Sequence, residues 1–356
     1  MGYDVKVDSF AGAQSAWHSQ GYVKGELMTY DEVVGNTDLG RHFRKEARTN
    51  PYTGADIRSW DIFRDDNLWI ATVGERHTMF DVDNTFKPFN DLMTAVMGKD
   101  AVYETGGTLE GGAKRWLLAY VGEGNVLGID PIKKYVNAMD SIDGTMKFKI
   151  GPSNIRIVCR NTFGSASREL GTYTRKHTSG GEKAVKDDLG RLSNAIAQGD
   201  ALMDCYNDLA QRAVDVTQTR NIIRGLFGIK PDVQHDDIPT VTKNRIDNVF
   251  DLFERNDDDA FPQFRGTAWG LFNAVTNYAD HDIDVRLSTA KSSLGYTVET
   301  VRAYNALLGT GADLKATALD AILEQTANAP RVNGIKSYSF ATQGANVLDD
   351  ILNNLG

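Results

Sequence analysis

The sequence predicts an α+β protein: an antiparallel sheet with packed helices, a β-β-β-α-like core, followed by a mostly helical C-terminal region. Three observations carry this. Between Leu68 and Ser167 strand patterns dominate, and one strand follows a turn bracketed by two glycine pairs. A helical pattern at Asn84–Met97 interrupts the strands. From Glu182 onward the apolar residues recur at helical spacing.

Taken in order, the chain falls into three zones: a mixed N-terminal region (1–66), an α+β core (67–181) and a helical C-terminal region (182–356). The first is Gly-punctuated, with a short helix expected at Thr29–Val34 and an exposed loop at Asn50–Gly54. In the second, Leu68–Val73 is apolar and β-branched, and Asn84–Met97 sets Phe86, Phe89, Leu92, Met93 and Val96 on one helical face. Pro88 is tolerable there only in the first turn. Gly106–Gly107 and Gly111–Gly112 bracket a hairpin turn that feeds the strand Arg115–Val121. Thr145–Ile150 and Asn154–Cys159 alternate as further strands, and a helix is expected from about Thr162. In the third zone Val185–Ala213 keeps a 4-3-4 apolar spacing, as one long helix or a pair broken near Gly199. Helices follow at Val241–Glu254, Thr267–Ala279 and Asp313–Ala327.

Composition removes several classes. With 41% hydrophobic and 24% charged residues the chain is neither disordered nor a collagen-like or disulfide scaffold. No apolar run approaches the ~18 residues of a membrane span, and the start lacks the layout of a signal peptide, so a cytoplasmic location is expected. Cys159 and Cys205 lack metal-ligand spacing, which suits a reducing compartment. The net charge of −9 argues against a simple polyanion binder. Its distribution is uneven: between Gly112 and Arg191 fourteen basic residues face eight acidic ones, +6, which leaves the remainder at −15.

Catalytic signatures are missing. Gly122–Gly128 has one residue too many for a dinucleotide fingerprint, and Lys114 stands one position late for a phosphate-binding loop. His18, His42, His77, His177, His235 and His281 are scattered and match no zinc pattern. No catalytic residue, metal or cofactor is expected. The polar positions that stand out lie at a strand-to-helix junction: Arg156 and Arg160 share one face of an alternating strand, and Arg175 and Lys176 come just beyond. Two guanidinium groups on one face suit a phosphate rail, or else two buried salt bridges.

Seven segments resemble a family of phage- and plasmid-encoded proteins, domain of unknown function 932. They are AWHSQG (Ala16–Gly21), VGERHTMF (Val73–Phe80), GGTLEGGAKRWLLAYV (Gly106–Val121), SIDGTMKFKI (Ser141–Ile150), IRIVCRNTF (Ile155–Phe163), RKHT (Arg175–Thr178) and GTAWGLFNAVTNYADH (Gly266–His281). His77 stands where the family usually has an aromatic residue. Family members are named for their replicons, so the resemblance implies phage or plasmid biology and no defined activity. A second resemblance is topological: helix, glycine-rich hairpin, two strands and a basic junction are similar to single-strand annealing recombinases of the Rad-fifty-two type.

The expected function is therefore a single-stranded DNA-binding protein of recombination or replication, acting in strand annealing without ATP. Lys114, Arg115, Arg156, Arg160, Arg175 and Lys176 would neutralise phosphates, and Trp116 or Tyr120 would stack on bases. Alternation within its strand favours core for Trp116. The alternative is a structural or interaction protein with a host or phage protein partner, and an enzyme with an unfamiliar site stays open. A homo-oligomer is expected, because the C-terminal apolar stripes need cover and assembly would repeat a modest basic face.

Overall fold

A computed structural model describes residues 9–13, 22–156, 162–163, 173–181, 192–255, 264–289, 292, 297–307 and 309–332. In chain order the strands are β1 (Ser9–Gly12), β2 (Tyr22–Val23), β3 (Phe43–Thr49), β4 (Asp56–Arg64), β5 (Trp69–Gly74), β6 (Tyr103–Leu109), β7 (Lys114–Val126), β8 (Asp130–Ser141), β9 (Phe148–Arg156), β10 (Thr162–Phe163) and β11 (Tyr173–Arg175). The larger sheet runs β10-β9-β8-β7-β6-β1-β2, with β11 also on β9. Its described pairs are antiparallel except β1–β2. The smaller sheet is the antiparallel meander β3-β4-β5.

Among the described residues eight helices accompany them: α1 (Tyr30–Gly35), α2 (Val82–Met97), α3 (Leu192–Leu209), α4 (Val216–Leu226), α5 (Thr240–Arg255), α6 (Ala268–Asn277), α7 (Val298–Leu307) and α8 (Thr310–Gln325). Local chemistry sets their starts. Thr29 and Glu32 form a capping box on α1, and the Asp81 side chain accepts from the Asp83 N–H at the start of α2. Because α2 starts at Val82, Pro88 sits beyond the first turn, inside the helix.

Alternation along the strands decides which face is dry. Leu117 and Ala119 on β7 pair with Ala138 and Val136 on β8, and Ala138 pairs onward with Ile150 on β9. This face is buried with Phe86, Phe89 and Met93 of α2. α3 lies on the same sheet: Gly199 passes over Pro152 of β9 with room for a Cβ between them, and Met203 fills the space over Gly124 of β7. The smaller sheet closes one end of the larger, where Ile62, Ile70 and Val73 pack on Ala113 and Ile142.

The helical region shares a core with the opposite end of the sheet. Val126 and Ile132 join Tyr206, Phe250, Trp269, Phe272 and Leu319 in one buried cluster. Trp269 packs with its ring centre 4.8 Å from that of Tyr206, tilted by 37°, and donates its indole N–H to Asp130 at 3.0 Å. The apolar residues Met203 and Tyr206, Ile246 and Phe253, and Ala318 and Ile322 are all buried within the chain. The described parts of the stripes that called for an oligomer are thus covered internally, while Val185, Leu189 and the Leu192 side chain lie outside the described residues.

Several sequence expectations shift. Of the two alternatives for the first C-terminal stripe, the described part is one helix: α3 runs unbroken through Gly199. Thr162 and Phe163 form a short strand on β9 where a helix start was expected. Residues 145–147 precede β9, which starts at Phe148. The division at 66/67 falls in the turn between the paired strands β4 and β5, and β1 belongs to the core sheet. No helix among the described residues is long and apolar enough to cross a membrane.

Candidate functional site

Charged groups gather where the smaller sheet closes the larger one. Arg115 on β7 and Asp140 on β8 are register partners on the dry face. Their end groups form an ion pair with Asp140 fully covered and Arg115 only 2% exposed. The Arg115 guanidinium also donates to the Phe80 carbonyl at 2.7 Å and lies 5.3 Å from the Phe86 ring centre. On the other side of Asp140, His177 brings Nε2 to 3.0 Å from Oδ1, while its Nδ1 lies 3.2 Å from the Thr78 carbonyl oxygen. Burial pushes the Asp140 carboxyl up, but Arg115 and His177 outweigh it and hold it below the usual carboxylate range.

A second pair lies one residue away. Lys114, 3% exposed, donates to Asp143 at 2.7 Å and to the Thr145 hydroxyl, with Glu110 at 3.9 Å. Burial raises the Asp143 carboxyl, and Lys114 reverses that to a net lowering. His77 packs against His177 with ring centres 5.2 Å apart and planes tilted by 34°, and its Nε2 lies 2.8 Å from the Ile142 carbonyl oxygen. Its pKa is lowered, chiefly by burial.

This cluster is a lock, and its chemistry says why. Each His177 nitrogen lies near an acceptor oxygen, and Asp140 and Asp143 are each matched by a cation, which ties β7, β8 and the segment after β11 together. Among the described residues no three histidine, cysteine or carboxylate side chains converge as a metal site.

Further basic residues lie at the sheet edge. β11 pairs with β9 so that Arg175 faces Phe148 and Thr174 faces Lys149. Lys147 and Lys176 extend the two strands one residue past that last pair. Arg175 and Lys149 are half-buried, Lys147 and Lys176 exposed. The Arg175 guanidinium lies 4.5 Å over the Tyr173 ring. Among the described residues Lys147, Lys149 and Lys176 make no ion pair.

Comparison with protein families matches residues 70–303 to the model for Domain of unknown function (DUF932). The chain belongs to this family. No curated protein and no solved structure matches it, so the topological likeness to annealing recombinases gains no support.

Within this DUF932 chain four of the seven segments that carry the resemblance converge. VGERHTMF supplies His77 and Phe80, KRW supplies Lys114 and Arg115, SIDGT supplies Asp143 and Thr145, and RKHT supplies His177. Sequence reading missed the cluster because its members lie up to 100 residues apart, and the shared motifs were the signal for it.

The expected site residues divide accordingly. Lys114 and Arg115 are corrected: both are buried and neutralised by carboxylates, so neither reaches a phosphate. Trp116 is buried in the sheet, and Tyr120 rests edge-on against Tyr135 at 5.8 Å. Lys133 and Lys134, also in the basic stretch, are paired with Glu104 and Asp200. Arg156 ends β9 opposite Ile132, and its side chain, like Arg160 and Cys159 as a whole, lies outside the described residues. Arg175 and Lys176 remain, joined by Lys147 and Lys149, which the sequence did not single out.

Proposed function

We propose that this DUF932 protein binds single-stranded DNA along the β9–β11 edge. The observation that carries the reading is the register of β11 on β9, which sets Lys147, Lys149 and Lys176 on one face at one end of a two-strand edge, with Arg175 on the other face opposite Phe148. A chain of net charge −9 attracts a polyanion only through such a local concentration of cations. Phosphate contacts of this kind position a strand without reading its sequence. Tyr173, beneath Arg175, packs on the core opposite Ile150, so the lysines carry the contact through phosphates alone.

The test is titration of a labelled thymidine oligonucleotide at about 50 and 200 mM salt. Affinity is expected to fall with salt, and the triple variant Lys147→Gln, Lys149→Gln, Lys176→Gln to flatten the slope by about 0.7 for each phosphate deprived of its cation. A folded parent that fails to bind at the lower salt ends the proposal. So does a triple variant with the parent's slope.

A further inference from the structure

The β3–β4 hairpin outruns its sheet. Pairing between β4 and β5 stops at Ser59–Gly74, whereas β3 and β4 stay paired out to Thr49–Asp56, so the hairpin projects as a two-strand arm. Its tip is built, not slack. Asn50 donates to the Ala55 carbonyl at 2.7 Å, and Gly54, at φ +70°, donates back to Asn50 at 2.8 Å. The Asn50 side chain accepts from the Tyr52 and Thr53 N–H groups at 2.9 and 3.2 Å. That turn holds Tyr52 94% exposed, the most exposed large apolar side chain among the described residues. Arg58 and Arg48, the latter ion-paired with Asp61 at 3.3 Å, stand exposed on the stem. Arg58 holds φ 53°, with its N–H bonded to the Asp56 carboxylate at 2.7 Å.

The arm is rooted beside the basic edge. Lys45 on β3 donates to the His77 carbonyl at 2.6 Å, the Thr78 N–H donates to the His177 carbonyl at 3.1 Å, and His177 directly follows Lys176. Exposed Arg76 lies in the same connecting segment.

We infer that Tyr52 is a stacking platform for an unpaired base of the strand whose phosphates lie along the β9–β11 edge, an inference that rests on the reading above. A lone ring flanked by Asn50, Pro51, Thr53 and Gly54 lacks the apolar surround of a protein hot spot. It has what a base needs: an accessible π-face, fixed backbone beneath it, and guanidinium groups within the same arm. Every base has such a face, so the contact is indifferent to sequence.

The experiment uses the same thymidine oligonucleotide with the parent, Tyr52→Ala and Tyr52→Phe. The alanine variant is expected to bind on the order of tenfold more weakly. Its salt slope should match the parent's, because no charge is removed. The phenylalanine variant should bind like the parent, because stacking needs the ring and not the hydroxyl. At 94% exposure neither change disturbs packing. An alanine variant of parental affinity overturns the platform and leaves the basic edge standing. A phenylalanine variant as weak as alanine overturns it too, and a parent that does not bind removes both readings.

Discussion

Arg115 and Asp140 face each other across β7 and β8 with both end groups sealed from solvent, and His177 closes the third side of the carboxylate. Removing one member leaves an unmatched charge in a dry site. Asp140→Asn or Arg115→Met should each destabilise the fold by about 3–5 kcal/mol, read as a lower urea midpoint. The double variant Arg115→Met, Asp140→Leu should lie closer to the parent than either single change. Equal or additive losses would show that the two groups act independently.

Acid should unfold the protein in two stages. His77 has its pKa lowered from 6.5 in the folded chain, so the unfolded ring takes up its proton first, and stability present above about pH 6.5 declines as the pH falls below it. Asp140 and Asp143 are held below their ordinary value of 3.8, so their contribution is complete above about pH 4 and is lost as the pH falls through their folded values. Urea midpoints measured from neutral pH downward should show both stages in the parent. His77→Gln should remove the first and keep the second.

Legibility in the sequence followed the range of the signal. α2, α5, α6 and α8 were readable because each buries one stripe whose spacing lies within a single segment. β3 was not, since Phe43–Thr49 alternates charge with charge and has little apolar face to report. β8 was hidden by Pro131 and the Lys133–Lys134 pair, which interrupt an otherwise alternating run. For the site, a count of basic residues registered Lys114 and Arg115 but not Asp143 and Asp140, which reach them only through strand register. The β9–β11 edge likewise exists only once Arg175 is set opposite Phe148.

Gly144 should resist replacement. It holds φ +73°, and a Cβ there would lie 2.9 Å from His77 Nδ1. Gly144→Ala combines about 1–2 kcal/mol of left-handed backbone strain with displacement of the His77 ring. The expected result is a lower melting temperature together with a changed first acid stage, since the ring that titrates there has moved. A melting temperature equal to the parent's would show that the turn relaxes without cost.

Trp269 ties the helical region to the tip of the β7–β8 hairpin. Its indole N–H donates to the fully buried Asp130 carboxylate at 3.0 Å, while its ring packs on Tyr206 and Phe272. Trp269→Phe keeps an aromatic ring in the core but takes a donor away from a buried anion, a loss of about 1–3 kcal/mol. Because the bond joins two elements 139 residues apart in sequence, its removal should loosen both. Amide exchange should therefore rise together at the 126–130 turn and along α6. Faster exchange confined to α6 would mean that the tryptophan only fills space among the helices, and that other contacts hold the sheet to them.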